Sequence, residues 1–313
     1  MRVFVTGASG WIGSAVVPEL IGAGHQVVGL ARSDASAAAL TEAGAEVRRG
    51  TLDDLDTLRS AAAESDGVIH LAFKHDLAFS GGFEGAAEAD RRAIDAFGEA
   101  LAGSGRPFLI ASGTLGLAPG RLATEQDGQA SGQADAHITG GPARRLANAQ
   151  ATVALADRGV RSSVVRLPPT VHGDGDHGFL ATVVAIAREK GVSAYVGDGA
   201  NRWPAVHRSD AAHLFRLALE SAPAGSSLHA VADEGVPIRE IAEVIGRHLG
   251  LPTVSVSPDD AAGHFSWLGG YFGMDSPASS AHTRELLGWQ PTGPGLVDDL
   301  ARGHYFADTS ASA

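Results

Sequence analysis

The sequence predicts an α/β protein with a doubly wound parallel sheet and a smaller C-terminal α/β lobe. Through the first half of the chain, short apolar and β-branched runs alternate with Ala/Leu-rich helical patterns, as in right-handed βαβ units. A glycine-rich turn, Gly7–Gly13, directly follows the first of these runs. The alternation loosens beyond Arg166, which indicates a different architecture for the rest of the chain.

The first domain is predicted to extend over residues 1–166 and to contain six strands, enough for a doubly wound sheet. The strands are Val3–Thr6, Gln26–Ala31, Glu46–Arg49, Gly67–Leu71, Pro107–Ser112 and Arg161–Arg166. The helices are Trp11–Ala23, Leu55–Ala63, Ala86–Ala102 and Ala143–Asp157. Pro18 should kink the first helix or remove one of its hydrogen bonds.

Residues 167–313 are predicted to form mainly a smaller substrate-binding lobe, with a segment at 203–232 returning to the first domain. The elements predicted here are helix Phe179–Lys190, strand Ala194–Val196, helix Asp210–Glu220 with Asp210 as its N-cap, and helix Ile238–Leu249. The stretch Gly120–Gly141 has no clear period and is predicted to be a mobile loop or lid, and the tail after Phe306 is predicted to fray.

The composition narrows the class of partner. With 313 residues, 44% of them hydrophobic, the chain can bury a large core, and its formal net charge of −12 provides no basic stripe for nucleic acid or an anionic membrane. There is no cysteine, no apolar run long enough to cross a bilayer and no signal-peptide pattern after Met1. We therefore expect a cytoplasmic protein that acts on a small diffusible ligand.

The turn Gly7–Gly13 has the glycine spacing of a dinucleotide-binding loop between a strand and a helix. Gly7 permits the tight turn, Gly10 lets the backbone approach a pyrophosphate, and Gly13 allows the helix to pack closely on the strand. The first domain is therefore predicted to be a Rossmann-type dinucleotide-binding domain. The predicted ligands from this turn are Gly7, Ser9, Gly10, Trp11, Ile12 and Gly13.

The sequence Thr6-Gly7-x-x-Gly10-x-x-Gly13 resembles the TGxxGxxG turn of extended and atypical short-chain dehydrogenases/reductases, a group that includes nucleotide-sugar epimerases and many carbonyl reductases. Four further matches follow in the family's order: Gly50–Asp53 (GDLxD, with Thr51 replacing the first aspartate), Val68–Ala72 (HLA), Arg166–Gly173 (RxPxxVYG) and Arg202–Asp210 (RxFVHVxD). The resemblance implies that the cofactor also contacts Leu52, Asp53, Leu71, Ala72, Phe73, Lys74, Pro168 and His172.

The end of the second strand indicates which dinucleotide is bound. An NAD-specific fold has an Asp or Glu there for the ribose 2′-hydroxyl, but this chain has Ala31, followed by Arg32 and Ser33. A guanidinium and a hydroxyl suit the 2′-phosphate of NADP. NADP (NADPH) is therefore the predicted cofactor. The alternative is a solvated surface arginine, with Asp34 partly neutralising the pocket.

Reductases of this family use a Tyr-x-x-x-Lys pair, in which the lysine lowers the tyrosine pKa so that the phenol can protonate the developing alkoxide. This chain has only the tyrosines Tyr195, Tyr271 and Tyr305 and the lysines Lys74 and Lys190, so no such pair exists. By position, the family's tyrosine falls near Gly141 and its lysine near Arg145. Arg145 is able to hold a ribose, but it is not expected to relay a proton.

The resemblance places the family's catalytic hydroxyl at Ser112 or Thr114, just past the fifth strand, where either side chain can orient a carbonyl or merely satisfy backbone at the strand end. Lys74, His75 and His172 are the nearest candidates for a substitute acid. The predicted substrate-binding residues are His75, Arg202 and Tyr195. A metal site in the loop with His172, Asp174, Asp176 and His177 is an alternative that we rank below a polar loop beside the cofactor.

The preferred function is an NADPH-dependent reductase of a small carbonyl or imine compound, in which Ser112 or Thr114 orients the acceptor. A non-catalytic, redox-sensing NADP-binding regulator is the second possibility, and a sugar-nucleotide epimerase or dehydratase ranks last because those reactions rely on the missing tyrosine. Helices Ala86–Ala102 and Ala143–Asp157 resemble the pair that forms a four-helix dimer bundle in this family, so the resemblance is compatible with a homodimer, and the sequence leaves the oligomeric state open.

Overall fold

The computed structural model describes residues 1–129 and 140–307. The strands are β1 Arg2–Thr6, β2 Gln26–Ala31, β3 Glu46–Arg49, β4 Gly67–His70, β5 Pro107–Gly113, β6 Arg161–Leu167, β7 Thr170–His172, β8 Ser193–Val196, β9 Arg202–His207, β10 Ser226–His229, β11 Asp233–Pro237 and β12 Thr253–Val256. The helices are α1 Gly13–Gly22, α2 Asp34–Glu42, α3 Leu55–Ala63, α4 His75–Leu77, α5 Phe83–Leu101, α6 Gly140–Ala154, α7 Phe179–Lys190, α8 Arg208–Ser221, α9 Ile238–Leu249, α10 Ala261–Phe265, α11 Gly269–Phe272, α12 Ala281–Leu287 and α13 Leu296–Ala301.

Seven parallel strands form the main sheet in the order β10-β6-β5-β4-β1-β2-β3. Apolar residues of α1, α2 and α8 pack on one face of this sheet, and those of α3, α5 and α6 pack on the other. The strand order reverses next to β1, so the crevice at the carboxyl ends of β1 and β4 is the place where such a sheet binds a ligand. The predicted doubly wound α/β fold is confirmed.

The smaller lobe contains two short sheets. One has the order β11-β9-β7 and the other pairs β12 with β8. Trp203, Phe265 and Phe272 are buried in its core together with apolar residues of α7 and α9. Because β7 follows β6 after two prolines, the lobe begins at the carboxyl edge of the main sheet and stands beside the crevice.

Several elements differ from the sequence prediction, which did not include strands β7, β9, β11 and β12 or helices α4, α10, α11, α12 and α13. The seventh strand, β10, was not predicted because its short sequence Ser-Ser-Leu-His is mostly polar, and α2 was not predicted although Ser33 caps it by accepting a hydrogen bond from the Ser36 N–H. His207, not Asp210, is the N-cap of α8. The Asp210 carboxylate instead accepts hydrogen bonds from the backbone N–H groups of Thr292 and Gly293, each at 2.9 Å.

Pro18 lies inside α1, which continues through it without a break. Of the predicted lid, Gly120–Gly141, residues 130–139 fall outside the described part of the chain, as do residues 308–313 of the predicted frayed tail. Among the described residues, no helix is both long and apolar enough to cross a membrane.

Candidate active site

The turn between β1 and α1 leaves no space for side chains at its first and last glycines. Gly7 has a φ of +66°, and a Cβ there would lie 2.7 Å from the backbone nitrogen of Ala72. A Cβ on Gly13 would lie 2.1 Å from the carbonyl oxygen of Gly7. Gly10 is exposed, and its N–H donates to the Gly7 carbonyl at 2.9 Å. The backbone is therefore compact and bare at the N-terminus of α1, as phosphate binding requires.

Trp11 connects this turn to the smaller lobe. Its indole N–H donates to the carbonyl of Val171 at 2.9 Å, the Arg208 guanidinium lies 4.4 Å from its ring centroid, and the ring of His177 contacts it edge-on at 5.7 Å. Ser9 next to it is exposed, and Ile12 is partly buried against the core under the sheet. The predicted turn residues therefore stand at the mouth of the crevice between the two lobes.

Two arginines stand at the end of β2, where the sequence analysis named only one. The side chain of Arg32 is 75% exposed, and its nearest carboxylate is Asp76 at 3.9 Å. Arg49 is missing from the sequence prediction, although it is the register partner of Ala31 and so lies beside the same strand end. The Arg49 guanidinium holds Asp34 at 2.6 Å, which balances the carboxylate expected to weaken the pocket.

At the position predicted to hold the adenine, Leu52 is buried, and the predicted cofactor residues Asp53 and Lys74 form an ion pair. Lys74 donates to both oxygens of Asp53, at 2.6 and 2.8 Å, and Arg92 lies 3.5 Å from the same carboxylate. The hydrogen bond from Lys74 holds the pKa of Asp53 below its ordinary value. The ammonium of Lys74 is thus already paired, which argues against its use as the acid.

Two hydroxyls occur at the carboxyl end of β5. Thr114 is fully buried, and its hydroxyl has no hydrogen-bond partner among the described residues. Ser112 is 8% exposed and is the register partner of Arg166 on β6. A buried hydroxyl without a partner is uncommon and costs free energy, so the Thr114 oxygen is a group that a bound carbonyl would satisfy.

Arg145, on α6, points to the same strand ends. Its Nη2 donates to the carbonyl of Ala111 at 3.1 Å, and its guanidinium lies 4.0 Å from the ring centroid of Phe73, directly beyond β4. Nη1 is buried and has no hydrogen-bond partner among the described residues, with the Asp90 carboxylate 3.8 Å away. Burial lowers the pKa of Arg145. A buried guanidinium with a free N–H is suited to hold a ribose hydroxyl.

A buried chain of hydrogen bonds supports Arg145 from behind. The Thr6 hydroxyl lies 2.6 Å from Nδ1 of His70, whose Nε2 lies 3.2 Å from Asp90. Asn148 donates to the other oxygen of Asp90 at 2.8 Å. Thr6 ends β1 just before the phosphate turn, so this chain links the turn to the helix that carries Arg145. The sequence contained one signal for this hydrogen-bonded chain, His70 in the segment that resembles the family's HLA motif, but the sequence analysis gave His70 no role at the site.

The position of the family's tyrosine is filled from another helix. A Cβ on Gly141 would lie 2.3 Å from the ring of Phe83, at the start of α5. The ring of Phe83 in turn contacts Phe73 at 5.7 Å. Because an aromatic ring cannot withdraw as easily as the end of a flexible chain, the packing here accommodates glycine and excludes a tyrosine.

His75 is the predicted substitute acid that remains near the catalytic positions. Its ring contacts Phe73 at 5.2 Å and stacks on Phe79 at 5.8 Å, while part of its surface stays exposed. Burial and, next, the positive charge of Arg145 lower the pKa of His75 below its ordinary value of 6.5. Because Arg145 and His75 both contact the ring of Phe73, the two groups lie at the same end of the crevice.

The other predicted residues have partners of their own in the smaller lobe. His172 is fully buried, with Nδ1 2.9 Å from Asp299, and Pro168 is buried where β6 ends. Asp176 belongs to the loop that the sequence analysis considered as an alternative metal site, and it accepts a hydrogen bond from the Tyr305 hydroxyl at 2.9 Å. Within the described ranges, no three His, Asp or Glu side chains are grouped so that they could hold a metal ion.

The two remaining predicted substrate residues are engaged in the same way. Arg202 donates two side-chain hydrogen bonds to Asp275, at 3.0 and 2.9 Å. Tyr195 lies on β8 under the guanidinium of Arg239, 5.5 Å from its ring centroid. The sequence alone did not indicate either partner, because Asp275 is 73 residues away from Arg202, and Arg239 lies on α9 whereas Tyr195 lies on β8.

Comparison with known proteins identifies what this arrangement resembles. The sequence pattern of the family described as NAD dependent epimerase/dehydratase matches residues 3–231. An uncharacterized protein of Schizosaccharomyces pombe (strain 972 / ATCC 24843) is 48% identical over 307 residues, covering 98% of this chain and 100% of that protein. The UDP-glucose 4-epimerase of Streptomyces lividans is 28% identical, covering 93% and 92%.

A reductase and a solved enzyme structure are also similar. The 2-alkyl-3-oxoalkanoate reductase of Stenotrophomonas maltophilia (strain K279a) is 26% identical, covering 81% of this chain and 77% of that enzyme. The crystal structure of a double mutant of DesIV, the dTDP-glucose 4,6-dehydratase of Streptomyces venezuelae, with NAD bound, superposes with a TM-score of 0.77 at 20% identity. It covers 99% of this chain and 98% of that one, and it demonstrates a shared fold.

Proposed function

This chain belongs to the NAD dependent epimerase/dehydratase family, and we propose that within it the chain is an NADPH-dependent reductase of a small carbonyl or imine compound. The observation that carries the proposal is a pair of buried donors that make no hydrogen bond to any described residue, the Thr114 hydroxyl and Nη1 of Arg145. Both belong to the edge of the sheet where the family holds its nicotinamide, and each is a group that a cofactor or substrate oxygen would satisfy.

The residues of the crevice fit a dinucleotide. The glycine turn leads into the N-terminus of α1, where a helix offers backbone N–H groups to a pyrophosphate, and Nη1 of Arg145 can donate to the nicotinamide ribose. When bound, a reduced nicotinamide supplies the hydride for the acceptor carbon. For each carbonyl reduced, one NADPH and one proton are consumed, and one alcohol and one NADP⁺ are formed.

The protein's own groups orient the acceptor and move the proton. The Thr114 hydroxyl, assisted by Ser112, donates a hydrogen bond to the carbonyl oxygen and so stabilises the charge that develops there. His75 delivers the proton to that oxygen, directly or through a water, because Lys74 is paired with Asp53 and His172 is buried against Asp299. Because the pKa of His75 is lowered, the protonated imidazole that performs this step becomes more populated toward acid pH.

The preference for NADPH rests on the two arginines at the end of β2. Arg32 is largely exposed beside Ser33, with the exposed Asp76 carboxylate 3.9 Å away, and Arg49 holds Asp34 at 2.6 Å, so two guanidinium groups stand where a 2′-phosphate would bind. Ala31 occupies the place of the acidic residue that would select NAD. This support is electrostatic and is directly testable by exchange of the cofactor.

Two other functions remain as alternatives. A redox-sensing regulator that binds NADPH without turnover is favoured by the packing of Phe83 against Gly141, which leaves no space for the family's tyrosine. Similar proteins include a UDP-glucose 4-epimerase and a dTDP-glucose 4,6-dehydratase, but such chemistry normally uses that tyrosine as its base. The proposed homodimer through α5 and α6 is compatible with all three functions.

The test is the oxidation of NADPH by the wild-type protein with a panel of aldehydes, ketones and imines, followed at 340 nm as an absorbance loss. The Ser112→Ala/Thr114→Ala protein is the comparison. UDP-glucose and dTDP-glucose are incubated separately with the oxidised cofactor, and their products are identified by chromatography, because epimerisation and dehydration consume no NADPH. We expect turnover with at least one carbonyl or imine compound and its loss in the double variant. Tight NADPH binding with no turnover of any compound would support the regulator instead.

A further inference from the structure

A row of aromatic side chains leads outward from the catalytic positions. It begins with Phe73 under the Arg145 guanidinium and continues through His75 to Phe79. The row therefore extends from the end of β4, where the nicotinamide is expected, toward the smaller lobe.

The outer end of this row is completed by the smaller lobe. Phe79 lies 4.8 Å from the ring of Trp267 and 6.4 Å from that of Phe179, and the last two rings contact each other at 5.4 Å. Phe79 belongs to the first domain, whereas Phe179 begins α7 and Trp267 follows α10. We call Phe79, Phe179 and Trp267 the aromatic cluster. It spans the crevice between the two lobes.

The cluster is only partly buried. Phe79 is 47% exposed and Trp267 is 39% exposed, and both are among the few large apolar side chains on the surface of the described chain. Aromatic rings normally bury most of their area, so two exposed rings in contact beside a crevice mark an apolar binding surface. The contact between them is tilted at 36°, which leaves ring surface free for a ligand.

The backbone is irregular at both exposed rings. Phe79 directly precedes a kink at Ser80 and Gly81, where the backbone leaves the helical region and Gly81 has a φ of +95°. Trp267 follows Ser266, whose φ of +54° makes it the one described residue other than glycine with a positive φ. A strained backbone such as that of Ser266 is concentrated at functional sites, because the surrounding structure must hold it. Two separate irregularities therefore present the two rings to the same crevice.

The charges of the smaller lobe do not favour a diphosphate. A nucleoside diphosphate needs free cations, but Arg202, in the segment resembling the family's RxFVHVxD, is bound by Asp275 through two hydrogen bonds. Asp275 also accepts from the Arg202 backbone N–H at 2.8 Å, and Arg239 is paired with Glu243 at 3.0 Å. The formal net charge of the protein, −12, also does not attract an anionic ligand such as a diphosphate.

We propose that the aromatic cluster is the substrate-recognition site and that it binds a neutral compound with a planar apolar ring system. This inference rests on the proposed function, since it identifies the class of carbonyl compound that is reduced. The ring of the substrate packs on Phe79 and Trp267, and its carbonyl group points along the aromatic row toward Thr114 and Arg145. Phe179 forms the side of the site.

The experiment measures binding, which does not depend on turnover. Isothermal titration calorimetry is carried out with 2-acetylnaphthalene, and separately with UDP-glucose, on protein saturated with NADP⁺. The variants are Phe79→Ala, Trp267→Ala and the conservative Trp267→Phe. Leu286→Ala is the matched control, because Leu286 is an equally exposed apolar side chain (36%) on α12, outside the aromatic cluster.

We expect the wild-type protein to bind 2-acetylnaphthalene, and each Ala variant to bind it about tenfold more weakly, as the loss of one aromatic contact implies. Trp267→Phe should retain most of the affinity because a ring remains, and Leu286→Ala should match the wild type. NADP⁺ affinity should be unchanged in all four variants, which shows that they are folded.

Three outcomes would overturn the inference: binding of UDP-glucose but not of 2-acetylnaphthalene, equal affinity in the wild type and both Ala variants, or an equal loss in Leu286→Ala. The proposed reductase activity fails differently. If 2-acetylnaphthalene binds at the cluster but neither it nor any other carbonyl or imine is reduced, the recognition site stands and the reductase does not. If ketones are reduced equally well by wild type and Ala variants, the reductase stands and the aromatic site does not.

Discussion

Two regions of the crevice differ in how closely their residues match those of the family. We call the turn Gly7–Gly13 the phosphate side, and the region around Thr114, Arg145 and Gly141 the proton side. On the phosphate side, Gly7, Gly10 and Gly13 keep the family's residues and the geometry that those residues permit. On the proton side, the tyrosine and lysine are absent, Phe83 packs where a side chain on Gly141 would lie, and Arg145 is held by Ala111 and Phe73. From this comparison we expect cofactor binding to be retained, whereas any proton transfer must use a group other than the family's tyrosine.

The largest expected effect is on the phosphate side. Gly10→Val should reduce NADPH affinity by at least about a hundredfold, because its Cβ would lie 3.2 Å from the Gly7 carbonyl and its methyl groups would occupy the place of the pyrophosphate. Calorimetry measures the affinity and circular dichroism the fold, which should persist. Gly22→Ala is the control, since a Cβ there meets nothing within 4 Å. Unimpaired binding by Gly10→Val would refute the phosphate-turn assignment.

The next effect is on the proton side. Ser112→Ala combined with Thr114→Ala should lower kcat/KM by about 10²-fold or more without changing NADPH affinity, because a hydrogen bond made in the transition state is lost. Single-turnover oxidation of NADPH measures the chemical step. Ser163→Ala is a matched control, since that hydroxyl is also buried without a described partner but is paired in register with Leu109, inside the sheet. An equal loss in the control would mean that packing, not catalysis, is affected.

A moderate effect is expected at the end of β2. Arg32→Ala should reduce the ratio of NADPH to NADH affinity by about tenfold, because one charge-assisted hydrogen bond to the 2′-phosphate is removed. Arg49→Ala should act in the same direction by releasing Asp34. The control is Arg48→Ala, whose guanidinium is bound to Ser60 at 2.7 Å. If the affinity ratio is unchanged in Arg32→Ala, Arg32 is only a surface residue, and the assignment of NADP as the cofactor loses its main support.

The smallest effect is expected from His75. Because burial and the charge of Arg145 lower its pKa below 6.5, the imidazole is mostly neutral at pH 7 and becomes a proton donor only as the pH falls through that lowered value. The reduction rate should therefore rise toward acid pH, and His75→Gln should flatten this rise. Since the ring is partly exposed and water can substitute for it, the loss near pH 6 should be less than about tenfold.

The pH profile also has an internal check. Arg145→Gln removes the charge that lowers the pKa of His75, so the inflection of the profile should move toward 6.5 even if the rate falls. An inflection that stays in place in this variant, or that persists in His75→Gln, would assign the titration to another group.

The fold was predictable to a large extent because its signals are local. Strands such as Gln26–Ala31 and Glu46–Arg49 have the same bounds in the structure as in the prediction, since β-branched runs and flanking glycines act within a few residues. The strand β10 escaped because its polar sequence becomes buried only by pairing with β6. Asp210 was assigned a cap on a local rule, whereas its actual partners are more than 80 residues away.

The amino-acid sequence by itself determined the dinucleotide turn, the parallel α/β fold and the absence of a Tyr-x-x-x-Lys pair, because these depend on residue type and short-range spacing. Only the tertiary structure decided which groups remain available at the site. In the structure, Arg202 is hydrogen-bonded to Asp275, Lys74 is hydrogen-bonded to Asp53, and Phe83 packs against Gly141. The Thr114 hydroxyl has no hydrogen-bond partner within residues 1–129 and 140–307. The reason is physical: the free energy of a buried polar or aromatic group depends on its neighbours in space, which distant segments supply when they pack.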